Sequence, residues 1–217
     1  MMRKTAIAAG AMLFASSAAI ADFTGFGYEL STVENSLGSW CVLDLYAEFD
    51  DVTDNMLSCL NMDIQLNGGA CFYNAGAPPF VPQSLIPLTN VPSADEAFAA
   101  DSYITIGNTQ QAASNGTNAD PNFADNCDNV GVNGGWFNLP PDNGQGAAAT
   151  GRVFMGRFSV TTEEALAGAS LSVSGQVAFN SGQNIFDDMG TVFWIPAPGA
   201  IAMLGVAGLV GSRRRRG

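Results

Sequence analysis

Strict alternation of apolar and polar side chains constrains this chain more than any other feature. From Trp40 to Phe49, an extended backbone puts Cys41, Leu43, Leu45, Ala47 and Phe49 on one side and Trp40, Val42, Asp44, Tyr46 and Glu48 on the other. A side-chain period of two belongs to a β-strand with one face buried, and the first set is the core face. The same period recurs where Leu60, Met62, Ile64 and Leu66 alternate with Asn61, Asp63 and Gln65. It recurs again where Leu171, Val173, Gly175, Val177 and Phe179 alternate with Ser172, Ser174, Gln176 and Ala178. Arg152 to Val160 reads as a further strand, with Phe154, Phe158 and Val160 inward and Arg157 and Ser159 outward. Shorter candidates are Tyr28–Val33, Ala70–Tyr73, Asp101–Ile106 and Thr191–Ile195.

Helical periodicity is confined to one place. Thr161-Thr162-Glu163-Glu164 before Ala165-Leu166-Ala167 has the form of a capping box: Thr161 accepts from the Glu164 amide while the Glu164 carboxylate reaches back. About eight short strands joined by Gly-, Asn-, Pro- and Asp-rich loops predict an all-β fold, an antiparallel β-sandwich forming a single domain over residues 22–195. Between two groups of strands lies Gly107–Thr150, rich in Asn and Gly and without a strong period. A stretch of that length is either a functional loop or a set of weak strands. Trp136, set among glycines there, is expected to be exposed and is the candidate ligand contact.

Charge narrows the function. The chain has no histidine, and its eight basic residues are Arg3, Lys4, Arg152, Arg157 and the run Arg213, Arg214, Arg215, Arg216. All twenty carboxylates fall between Asp22 and Asp188, so the body between the ends is strongly acidic. Such a surface repels phosphate backbones, which excludes nucleic acid as a partner. Without histidine there is no Ser-His-Asp or Cys-His pair and no His-ligated zinc, and without lysine in the body there is no Schiff base or P-loop. No catalytic, cofactor-binding or metal-ligating set is assigned, and the chain is expected not to be an enzyme. Two carboxylates could in principle hydrolyse glycosides, but nothing in the spacing singles out a pair.

The ends carry targeting signals. Met1-Met2-Arg3-Lys4, the apolar run Thr5–Ala15 and the small residues around Ala19-Ile20-Ala21 form a secretory signal helix over residues 1–21, with cleavage expected after Ala21. An uncleaved signal anchor is the alternative. At the other end, Pro196-Ala197-Pro198-Gly199 precedes the apolar run Ala200–Val210 and the four arginines. The prolines hold the chain extended and stop a helix from entering from the body. The apolar run is shorter than the roughly 20 residues of a membrane-spanning helix, and the arginines should stay cytoplasmic.

On Pro196-Ala197-Pro198, the short apolar helix and Arg213–Arg216, the last residues, 196–217, resemble the PEP-CTERM sorting tail of exported bacterial proteins, which membrane enzymes called exosortases recognise. Ala197 stands where that family usually has glutamate, as in planctomycete-like Pro-Ala-Pro variants. The pattern Trp-x-x-x-Asp-Leu-Tyr-Ala-x-Phe at Trp40–Phe49 and the Gly134–Gly146 stretch resemble elements of secreted proteins with the same tail. The resemblance implies export by the general secretory route, transient membrane tethering, processing near the proline motif, and release or attachment at the cell surface. The partners it implies are the secretion machinery and a membrane sorting enzyme. A plain C-terminal anchor is the alternative.

An exported chain with Cys41, Cys59, Cys71 and Cys127 is expected to hold two disulfides, with three possible connectivities. Cys71–Cys127 and Cys59–Cys71 are the favoured pairings, and Cys41, on a core face, can remain a buried thiol. Two acidic clusters, Glu48/Asp50/Asp51/Asp54 and Asp120/Asp125/Asp128 with Asn122, Asn126 and Asn129, suit weak Ca²⁺ binding through hard oxygen ligands, although neither has EF-hand spacing. Solvated turns are the plainer reading of both, and no cofactor is assigned. The function expected is that of a non-catalytic exported cell-surface or extracellular-matrix protein. The alternatives are a carbohydrate-binding or calcium-assisted adhesion module, with envelope polysaccharide as partner, and a secreted hydrolase.

Overall fold

A computed structural model describes residues 22–75, 99–107, 117–138, 146–147, 150–180 and 184–194. The signal segment with Ala19 and Ala21, and the tail with Pro196, Ala197, Pro198 and Arg213–Arg216, lie outside the described residues. In chain order the strands are β1 (Phe23–Asn35), β2 (Gly38–Phe49), β3 (Met56–Asn67), β4 (Tyr103–Ile104), β5 (Thr117–Ala119), β6 (Ala124–Asp125) and β7 (Asn129–Asn138). They are followed by β8 (Arg152–Thr161), the short helix α1 (Thr162–Leu166), β9 (Ser170–Phe179) and β10 (Asn184–Phe193). The smaller sheet has the order β1-β2-β8-β4; the larger has β10-β9-β3-β7-β5, with β6 also on β7. Every pairing is antiparallel. The two sheets share one core, in which Leu43, Leu45, Phe158 and Val160 of the smaller meet Ile64, Val173, Val177 and Phe179 of the larger. This is the antiparallel β-sandwich that the alternation predicts.

The core face of β2 is as expected: Cys41, Leu43, Leu45, Ala47 and Phe49 are all buried. On β9 the alternation runs without a break from Leu171 to Phe179. On β3 it does not, because the register with β9 shifts between Leu60 and Asp63 and Asn61 takes a left-handed φ of 48°. An extra residue in one strand of a pair moves every later side chain to the other face. Cys59 and Met62 are therefore fully buried and Leu60 is not. A shift between Leu45 and Tyr46 against β8 has the same effect. It corrects the inward assignment of Phe154: Val153, Met155, Phe158 and Val160 join the core, whereas Phe154 packs outside it against Tyr46 and Tyr103.

Two further expectations change. Alternation puts Trp40 and Val42 on the solvent side of β2, but both are buried in a second apolar cluster with Ala100, against which Tyr73 and Val33 pack. The chain around residues 72–75 and 99–107 covers that face. It is held there by hydrogen bonds from Tyr73 N to Ser159 O (2.8 Å), Thr105 N to Met155 O (3.0 Å) and Gly107 N to Phe154 O (2.7 Å). Ala70–Tyr73, which contributes the first of these bonds, is not a strand, and only Tyr103–Ile104 of the Asp101–Ile106 candidate is one. The long Gly107–Thr150 stretch proves to hold strands, with β7 paired to β3 in the middle of the larger sheet.

The sandwich has two distinct ends. Phe49 closes β2 and Phe179 closes β9, and their rings meet at 5.5 Å, so these strand ends belong to the same end of the molecule. At the opposite end lie the turn between β1 and β2, α1, and the chain that leaves β3 after Asn67.

Candidate functional site

The end bearing α1 is clasped. Thr161 caps the helix with the capping box read from the sequence: its hydroxyl accepts from Glu164 N (3.2 Å), and the Glu164 carboxylate accepts from Thr161 N at 2.9 Å. The other oxygen of Glu164 accepts from Cys71 N at 3.2 Å, tying the helix to the chain beyond β3. Cys71 forms a disulfide with Cys127, with Cα atoms 4.8 Å apart. Phe72 N donates to Cys127 O (2.7 Å) and Leu66 N to Asp128 O (2.7 Å), so the bridge sits in a main-chain lattice.

Of the two disulfides expected, this is the one present: Cys41 and Cys59 are buried free thiols. Cys59 lies four positions into β3 and Cys71 follows its far end, so a rise of about 3.3 Å per residue keeps the Cys59–Cys71 pair apart. Cys41, opposite Val160, and Cys59, opposite Val177, stand toward opposite ends of the core. Burial pushes both thiols above their ordinary pKa.

Trp136 is not a surface contact. It is fully buried on β7, donates from Nε1 to Thr105 O at 2.9 Å, and meets the Phe123 ring edge-on. The neighbouring glycines, which suggested an exposed loop, serve close packing instead. A Cβ on Gly135 would land on the Cys59 carbonyl, and one on Gly134 on the backbone of Phe123. The Gly-Gly-Trp sequence lets β7 approach β3 and brings the indole inside.

Both arginines of the body are matched. Arg157 makes a two-pronged bond to Asp44 (2.7 and 2.8 Å). Arg152 pairs with Glu29 and lies 4.1 Å from the centroid of the Tyr46 ring. Both pairs sit on the outer face of the smaller sheet, and each arginine already has its counter-charge.

The two acidic clusters differ. In the 120–128 turn, Asp120 Oδ1 accepts from Asn122 N at 2.7 Å and Asp120 O from Phe123 N, so this carboxylate fastens its own turn. Asp128 is exposed, and the side chain of Asp125 lies outside the described residues. The 50–54 turn is crowded. Asp50 Oδ1 accepts from Asp22 N (2.8 Å), and Asp51 Oδ1 accepts from the amide and hydroxyl of Thr53 (2.7 and 2.8 Å). Those Thr53 bonds hold Asp51 below its ordinary pKa and hence charged. Asp54 is 1% exposed, and its Oδ2 has no hydrogen-bond partner. Burial, and then the carboxylates of Asp51, Asp50 and Asp22, push its pKa above the ordinary 3.8. Glu48 stands near, on the outer side of β2 and exposed.

Among the described residues, no three acidic or cysteine side chains are grouped closely enough to hold a metal ion by side chains alone. No described helix is long and apolar enough to cross a membrane. Among the described residues of the two clusters, Asp54 Oδ2 and Asn129 Oδ1 are buried side-chain oxygens without a hydrogen-bond partner, and of these Asp54 is the ionisable one. Its burial was not legible from spacing, although the grouping of Glu48, Asp50, Asp51 and Asp54 at the end of β2 was. Comparison with protein-family models gave no match, and comparison with curated proteins gave none.

Proposed function

We propose that this chain is a non-catalytic exported protein of the cell surface or extracellular matrix, delivered by its signal segment and processed or held through its C-terminal sorting tail. The observation that carries the reading is the Cys71–Cys127 disulfide, which joins segments 56 residues apart within a main-chain lattice. A disulfide persists in oxidising compartments and is rare where thiols are kept reduced. Its support joins that of the basic-flanked apolar ends and the acidic, histidine-free body. The implied partners are the secretion machinery, a membrane sorting enzyme and the membrane itself. Burial of Trp136 removes the surface contact on which the carbohydrate-binding alternative was placed.

Mass spectrometry of the protein recovered from its native envelope tests the reading. The expected result is an N-terminus at Asp22, loss of the Arg213–Arg216 cluster and a cross-linked Cys71–Cys127 peptide. An intact precursor in the cytosol, with reduced thiols and both ends uncut, would overturn it.

A further inference from the structure

We propose that the turn Asp50–Asp54 binds Ca²⁺, with the buried Asp54 carboxylate as its anchor and main-chain carbonyls and water completing the shell. Asp54 is 1% exposed, and Oδ2 accepts no hydrogen bond. A buried carboxylate oxygen without a donor is costly unless a proton or a cation neutralises it. The surroundings oppose its charge further: Asp51, Asp50 and Asp22 all act on it, and both arginines of the body are paired elsewhere. Asp51, kept ionised by Thr53, and exposed Asp50 add negative charge beside it that attracts a cation.

The chemistry of the donors selects the ion. All are hard oxygens, which rules against soft thiolate-seeking metals. With fewer than three acidic side chains grouped closely enough to act alone, the remaining ligands are carbonyl oxygens and water. Ca²⁺ accepts such mixed, irregular shells, whereas Mg²⁺ demands near-octahedral geometry. Few protein charges imply weak affinity, with a Kd of about 0.1–1 mM, the range of extracellular calcium modules. The Asp54 main chain is fixed from both sides, its amide donating to Asp51 O (3.2 Å) and its carbonyl accepting from Ala147 N (2.8 Å). The backbone that carries the carboxylate is thus fixed before an ion arrives. The inference does not rest on export, since binding is a property of the chain wherever it resides.

The test is thermal melting of the full-length protein in chelator and in 10 mM Ca²⁺, with Asp54→Asn and Asp120→Asn alongside. Wild type should gain about 4–8 °C on adding Ca²⁺. Asp54→Asn should melt above wild type in chelator and ignore Ca²⁺; Asp120→Asn should respond as wild type does. Calorimetric titration of wild type with CaCl₂, which needs no variant to fold, should show one weak site. No heat of binding, an unchanged wild-type midpoint, or an Asp54→Asn protein that still responds would each overturn the proposal. In that event the neutralising charge on Asp54 is a proton.

Discussion

The two ends of the sandwich meet the same problem, carboxylates close to the core, in opposite ways. At the α1 end, Glu164 has a donor for each oxygen: Thr161 N on one and Cys71 N on the other, with the Cys71–Cys127 bridge beside them. At the other end, the amides of Phe49, Asp50, Ala147 and Asn180 join the turns by main-chain bonds, while Asp54 Oδ2 is left without a donor. The first end is closed by its own covalent and hydrogen-bonded chemistry. The second is complete only with a proton or a cation. The smaller sheet shows a third solution, since Asp44 and Glu29 are each neutralised by an arginine.

The difference between the ends can be broken most severely at the bridge. Replacing Cys71 and Cys127 by serine frees a loop of 56 residues and should cost about 4 kcal/mol in denaturant unfolding. Next comes the clasp itself. Glu164→Ala removes the capping box and the bond to Cys71 N, and should cost about 1–2 kcal/mol. At the acidic end the sign reverses: Asp54→Asn, measured in chelator at pH 7, should stabilise the fold, because it removes a buried charge that Asp51, Asp50 and Asp22 oppose.

That gain should depend on pH. The folded state raises the pKa of Asp54, so it binds this proton more tightly than the unfolded chain does. The stability the proton supplies is fully present below the unfolded value near 3.8 and is lost as pH rises through the folded value. Wild type and Asp54→Asn should therefore differ least in acid and most above the folded pKa, a trend that melting curves from pH 3 to 8 would reveal. The smallest effect is expected on the smaller sheet, where Arg152→Gln breaks a part-exposed pair and a ring contact and should cost less than about 1 kcal/mol.

How much of this was legible depends on whether a strand kept its period. β9 carries no extra residue between Leu171 and Phe179, since the shifts in its pairing with β3 fall on β3, and its own sequence alternates cleanly, so its two faces could be assigned directly. β3 and β8 contain register shifts, at Asn61 and opposite Leu45–Tyr46, and a period of two cannot be carried across an extra residue. This is why Phe154 was placed on the wrong face. Trp40 and Val42 were misplaced for another reason: a covering segment distant in sequence buries them, and periodicity records only the nearer layer. Trp136 was misread because glycine marks both an exposed turn and a close strand contact, and only a neighbour such as the Cys59 carbonyl tells them apart. The capping box at Thr161 was fully legible because it is local. Of the acidic cluster, the grouping was legible and the burial of Asp54 was not.

Residue-resolved hydrogen exchange at pH 7, in chelator and then in 10 mM Ca²⁺, tests the contrast between the ends most directly. The account predicts slower exchange in Ca²⁺ at Asp54, Ala147 and Asn180, whose amides bind across the acidic end, and unchanged exchange at Phe72 and Leu66, whose amides bind beside the disulfide. Equal protection of both ends by Ca²⁺, or of neither, would contradict it.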